Sequence, residues 1–291
     1  MQIILHTGAH FTEDDRLIKC LLRNKEDFSR RGVAVPGPGR YKKLLKDTLN
    51  AMRGTTPRDE ARDVLLDAIL DDEKAGRMIL SNAHFFGAPR AALRDGLLYP
   101  NAQEKISQMR RLFPDDDLEI FMGLRNPATL LPAIYRESPR EELDDFLEGV
   151  DPRDIRWSES ITAMRVLNPA IPITVWCNED TPLIWGSIIR AMAGLPEGEK
   201  VIGSFDLLGA IISTEGMRRF RAYLADHPVM TEEQKRRVMA IFMEKYALED
   251  ELIEELEMPG WSDALVEEMT DIYDADFEAV RQIPGVTVIA P

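Results

Sequence analysis

The chain predicts an α/β fold of three layers, with helices on both faces of a mostly parallel sheet and a helical extension toward the C-terminus. Three observations carry that reading. Short apolar runs alternate with longer amphipathic stretches, the pattern of strands joined by crossover helices. Most runs are bounded by turn residues or helix-start signals. After Leu195 the strand signal nearly vanishes and long helical patterns take over. The expected division is residues 1–195 for an α/β domain and 196–291 for a helical extension packed on the same body.

The strands expected in the sheet core are Ile3–His6, Met78–Ser81, Leu118–Met122 and Ile173–Trp176, each a short apolar run. A weaker one, Val33–Val35, is closed by Pro36-Gly37-Pro38-Gly39, giving a sheet of about five strands. Between them helices are expected over Asp14–Phe28, Tyr41–Met52, Arg58–Asp72, Ala102–Leu112, Ala128–Arg136 and Pro182–Ala193. Leu17, Ile18, Leu21 and Leu22 make the stripe of a helix lying on a sheet. The extension reads as Ser213–Leu224, Glu232–Glu257 and Ser262–Val280, split by His227-Pro228 and Pro259-Gly260. The run Gly285–Ile289 is either an edge strand or a docked tail.

A net charge of −15 excludes the basic field that nucleic acid or an anionic membrane surface would require. Between Thr231 and Val280 sixteen acids face four bases, so most of that charge sits on the extension, where a solvated helical face accounts for it. No apolar run reaches the roughly 18 residues of a membrane span. The first residues lack the basic segment of a secretory signal and read as a buried strand. Cys20 and Cys177 lie far apart and suggest neither a disulfide framework nor a metal cluster, in keeping with a reducing cytoplasm.

The segment Leu5-His6-Thr7-Gly8-Ala9-His10-Phe11-Thr12-Glu13-Asp14-Asp15-Arg16-Leu17 is strand, turn and helix start. A phosphate cradle belongs at such a place, because glycine permits close backbone approach and helix N–H groups point at the anion. The segment resembles the 5′-phosphosulfate loop of the sulfotransferase branch of the P-loop fold, His-x-Gly-x-His-Lys-Thr-Gly-Thr. His6, Gly8, His10 and Thr12 stand where that pattern puts them, while Phe11 replaces its lysine, Glu13 its second glycine, and Asp14 and Asp15 its hydroxyls. Those replacements reverse the electrostatics: a carboxylate ~5 Å from a phosphate charge costs about 3 kcal/mol at an effective dielectric near 20. Thr12 as N-cap of an acidic first turn is the structural alternative. His6, His10, Glu13, Asp14 and Asp15 are also residue types that could hold a divalent cation, although spacing alone does not make a coordination set, and no metal is expected.

Two further segments carry the resemblance. Leu124-Arg125-Asn126-Pro127 follows a strand and opens a helix, which puts a guanidinium at the carboxyl end of the sheet. It looks like the segment that holds the 3′-phosphate in sulfotransferases, with Ala133 in place of the serine. Arg125 paired with an acid such as Asp180 is the alternative. Leu80-Ser81-Asn82-Ala83-His84 resembles the strand end that supplies a catalytic glutamate in bacterial relatives. Ala83 stands at that position and His84 beside it, an imidazole able to serve as general base. Gly37–Lys43 gathers positive charge, with Arg40 directed at the crevice and Lys42 and Lys43 on different helix faces.

The resemblance implies 3′-phosphoadenosine 5′-phosphosulfate as donor, held by Gly8, His10, Thr12 and Arg125, with His84 as base. The departures imply impaired donor binding. Three functions follow: a divergent sulfotransferase, a non-catalytic descendant that binds another ligand or a protein, or a cation-dependent enzyme using the acidic loop. A small anionic molecule held by Arg40 and Arg125 is the ligand expected of the second, and the sequence names no protein partner.

Overall fold

In the computed structural model, β1 (Gln2–His6) lies at the centre of a six-stranded, all-parallel sheet. Its neighbours are β3 (Arg77–Ser81) and β6 (Asp117–Leu124), with Ile3 opposite Met78 and Leu118, and Leu5 opposite Leu80 and Ile120. Outside β3 runs β2 (Val33–Ala34); outside β6 run β7 (Ile173–Cys177) and β8 (Val286–Val288). The structure describes residues 1–13, 15–52, 60–140, 142–248, 250 and 258–291. Asp14, the start of the helix expected from Arg58 and most of the end of the one expected to reach Glu257 lie outside the described residues.

Alternation along β1 sends Ile3 and Leu5 to one face and Ile4 and His6 to the other. The first face is covered by α3 (Pro38–Ala51), α4 (Ala61–Leu70), α5 (Ala102–Leu112), α6 (Pro127–Arg136), the short α7 (Leu143–Leu147) and α8 (Trp157–Leu167). On the second lie α1 (Arg16–Arg23), α2 (Lys25–Arg30) and α9 (Thr181–Ala193). The fold is thus a three-layer α/β domain. Asn126 and Pro127 start α6 as their sequence predicts: the Asn126 side chain accepts the Ala128 N–H at 2.9 Å and proline occupies the first turn.

Three details differ from the sequence reading. The single helix expected over Asp14–Phe28 is two, α1 and α2. Asn24 interrupts it by exchanging two hydrogen bonds with the backbone of Ile202, at 2.9 and 2.8 Å. A hairpin, β4 (Leu93–Arg94) with β5 (Leu97–Leu98), precedes α5 and turns on Asp95-Gly96, both at positive φ.

The third is the extension. Helices α10 (Asp206–Ile211), α11 (Thr214–Asp226) and α12 (Glu232–Tyr246) share a small cluster around Leu208, Ile212 and Phe220. By contrast α13 (Asp263–Arg281) buries Met269, Tyr273, Phe277 and Val280 in the main core, and β8 pairs with β7. So the tail is an edge strand, and the last helix belongs to the α/β layers. The Tyr273 hydroxyl donates to the Leu124 carbonyl at 2.8 Å, and Asp276 accepts the Trp157 N–H at 2.7 Å, capping α8 from α13. Among the described residues no helix is long and apolar enough to cross a membrane.

Candidate functional site at the carboxyl end of the sheet

From β1 the chain leaves toward β2, and from β6 it leaves toward β7. Their carboxyl ends therefore flank the switch point where open α/β sheets place ligands. The loop after β1 and the residues after β6 and β3 meet here. Arg125 is 5 % exposed; its guanidinium donates to the Phe11 carbonyl and, at 2.8 Å, to the Thr129 hydroxyl. The His84 ring lies 5.1 Å from that of His10. Gly8, His10, Thr12, His84 and Arg125 are thus brought to one end of the sheet. Arg40 takes another course, pairing at 2.9 Å with Asp71 beyond the end of α4, where both side chains are largely solvated.

Two of the loop amides, those of Ala9 and His10, are already answered. Gly8, at φ 105°, has its carbonyl bonded by the Gly123 N–H, and Ala9 returns a bond to the Gly123 carbonyl at 2.9 Å, so the loop continues the pairing with β6. A side chain at Gly8 would meet the His10 nitrogen at 3.1 Å and add left-handed strain. The His10 N–H donates to the Tyr99 hydroxyl at 2.8 Å. Thr12 donates to the Ala9 carbonyl at 2.9 Å and does not cap α1. The N-cap position is Asp15, whose side chain makes no cap bond, and it is the Glu13 carboxylate, from further back in the loop, that accepts the Leu17 N–H at 2.7 Å. Arg16 donates to the Glu13 carbonyl and Lys19 to that of Asp15.

Phe11, in the lysine position, has left-handed backbone (φ 57°) and packs against the main core. Asp15 also lies at positive φ and pairs with Lys42 at 3.6 Å.

His10 is 2 % exposed and fully engaged. Its Nε2 faces the Gly87 carbonyl at 3.2 Å, which can only accept, so the proton resides there; Nδ1 then accepts from the Tyr99 hydroxyl at 2.8 Å. Burial, with His84 adding repulsion, lowers its pKa to about 4. His6 is fully buried, bonded through Nδ1 to Ser81 Oγ at 2.8 Å and stacked on Trp176, and burial lowers it to about 4 as well. Among the described residues no group of three or more His, Cys, Asp or Glu is arranged to hold a metal ion. His6 Nδ1 and Glu13 Oε1 lie 4.0 Å apart, while His10 faces Tyr99 and Asp15 faces Lys42, so the four do not converge on one point.

Beside the loop opens a cleft of about 960 Å³ between α3, α5 and the turn after β3, with His84 on its wall. Lys42, Lys43 and Lys46 border it from α3 and Lys105 from α5. Lys42 and Lys43, expected on different faces, straddle the stripe that α3 turns toward the cleft, since Leu45, Lys46, Leu49 and Asn50 line it too. The positions that sequence reasoning missed are Tyr99, Lys46, Lys105 and Gln108. Tyr99 follows the Asp-Gly hairpin, whose turn signal was readable. Lys46 and Lys105 carry no sequence signal beyond that of a charged residue on a helix. The chain matches no protein-family model, and no curated protein matches it.

Proposed function

We propose that this chain is a sulfotransferase-like protein that no longer holds a phosphosulfate donor and acts by binding a small anionic molecule at the carboxyl end of its sheet. The observation that carries this reading is the Glu13 carboxylate on the Leu17 N–H. It puts a negative group where the family's loop would receive the 5′-phosphosulfate, and it takes up a helix N–H that would otherwise bind the anion. Phe11 in place of the lysine and the internal bonds of the Ala9 and His10 amides point the same way. The residues present therefore do not fit the donor. The two cysteines are free thiols, in keeping with a reducing cytoplasm.

A second reading is a divergent sulfotransferase with His84 as base, favoured by its place on the cleft wall next to His10. Calorimetric titration with adenosine 3′,5′-bisphosphate separates the two. The binding reading expects no heat at micromolar nucleotide, whereas micromolar affinity would restore the transferase reading. A ligand at 100 times its dissociation constant stabilises a fold by about 2.7 kcal/mol, so a melting scan gives an independent check.

A further inference from the structure

We infer that the cleft between α3, α5 and the turn after β3 binds an amphipathic organic oxyanion that also carries a hydroxyl. The inference rests on the binding reading above and names its ligand class. Charge comes first. Four lysines border the cleft against one carboxylate, Glu104, in a protein whose net charge is −15. Glu104 is already committed to Arg111 at 3.0 Å and to the Gln108 amide at 3.1 Å. Lys43 and Lys46 form no ion pair with a described residue. Lys42 is answered by Asp15, but Lys43 and Lys46, three residues apart on α3, repel one another, and an anion between them removes that cost.

Shape and polarity come second. Leu45, Leu49, Phe85 and Phe86, each under 10 % exposed, give the cleft an apolar floor suited to a ring or hydrocarbon body. The third observation is Gln108. It is 3 % exposed, lines the cleft and has a buried Oε1 without a hydrogen-bond partner. Its orientation is settled, because Nε2 faces the Glu104 carboxylate, which can only accept. The orphan is therefore an acceptor, and a buried acceptor calls for a donor. Since Lys43 and Lys46 bind the charged end, the donor that suits Gln108 is an O–H on the ligand body.

The test uses the full chain and a fluorescent probe, 6-hydroxynaphthalene-2-sulfonate, with three relatives that each lack one feature. Naphthalene-2-sulfonate lacks the hydroxyl, 2-naphthol lacks the charge, and inorganic sulfate lacks the body. The full probe should bind best. Loss of the hydroxyl should weaken binding about fivefold, the worth of one net hydrogen bond. Loss of the charge should weaken it more, and only the charged ligands should weaken with added salt.

Lys43→Gln with Lys46→Gln should abolish the preference for sulfonate over naphthol. Gln108→Leu should abolish the preference for the hydroxyl while leaving that for sulfonate. No saturable binding at millimolar probe, equal affinity for 2-naphthol, or a lysine variant that binds like the parent would overturn the inference. Adenosine 3′,5′-bisphosphate supplies the last arm. If the nucleotide binds but neither competes with the probe nor responds to the lysine variants, the closed-loop reading fails and the cleft inference stands.

Discussion

One hydroxyl, that of Tyr99, meets two nitrogens of His10 at 2.8 Å each, accepting the backbone N–H and donating to Nδ1. The two rings are stacked, and Tyr99 stacks in turn on Trp157. The second histidine of the phosphosulfate-like motif is thereby a structural post for its own loop. Tyr99→Phe keeps the stack and strands both nitrogens, which should cost on the order of 3 kcal/mol in urea unfolding. A loss well under 1 kcal/mol would mean that the loop readily rebonds.

Acid should weaken the fold in a defined window. His6 and His10 hold pKa values of about 4, below the 6.5 of an open chain. Between those values the unfolded chain binds more protons, so stability is fully present above pH 6.5 and falls as pH drops toward 4. Each residue should forfeit about 2 kcal/mol by pH 5. Urea midpoints at pH 7 and 5 measure the loss, and the imidazole proton shifts of both residues should hold steady to pH 5. Equal midpoints would contradict the assignment of both rings as buried and neutral.

Asp276→Ala should destabilise the protein by about 3 kcal/mol. It removes a carboxylate that accepts the Trp157 and Ser158 N–H groups and the Ser158 hydroxyl in a nearly closed site. Asp276→Asn should recover part of this, since its carbonyl oxygen still accepts. Thermal unfolding of the three proteins checks the order, and equal melting of all three would count against the cap.

Glu13→Ala should cost about 1 kcal/mol by uncapping α1. It should also make the loop responsive to sulfate, read as a larger salt-specific rise in melting temperature than the parent shows. Phe11→Lys with Glu13→Gly should respond more strongly, and that gain should shrink with ionic strength. If neither variant differs from the parent while still folded, the pocket has been rebuilt beyond those side chains.

Much of the scaffold was legible because it depends on local pattern. The run Ile3–His6, closed by Thr7-Gly8, suits a buried strand, and Asn126-Pro127 ahead of the apolar stretch Ala128–Arg136 suits a helix start. What escaped depends on distant partners. The break at Asn24 is made by Ile202, and the cap of α8 by Asp276 on α13. For the site, the motif residues were readable but their occupants were not. That Glu13 takes the Leu17 N–H, or that Gln108 keeps a bare oxygen, is a matter of side-chain direction, which spacing does not encode. Arg40 illustrates the reverse: its place in the chain suggested the crevice, yet Asp71 lies within reach.

The pairing of β8 with β7 has a consequence for synthesis. During translation β7 is complete long before Val286–Val288 leave the ribosome, and α13, which packs onto the same layers, also arrives late. Until then the nascent domain presents the raw margin of β7, with unpaired amides and carbonyls able to accept a strand from a neighbouring chain. Loss of the last strand should thus register first as poor yield and clumping in the cell, ahead of any change in what the finished molecule binds.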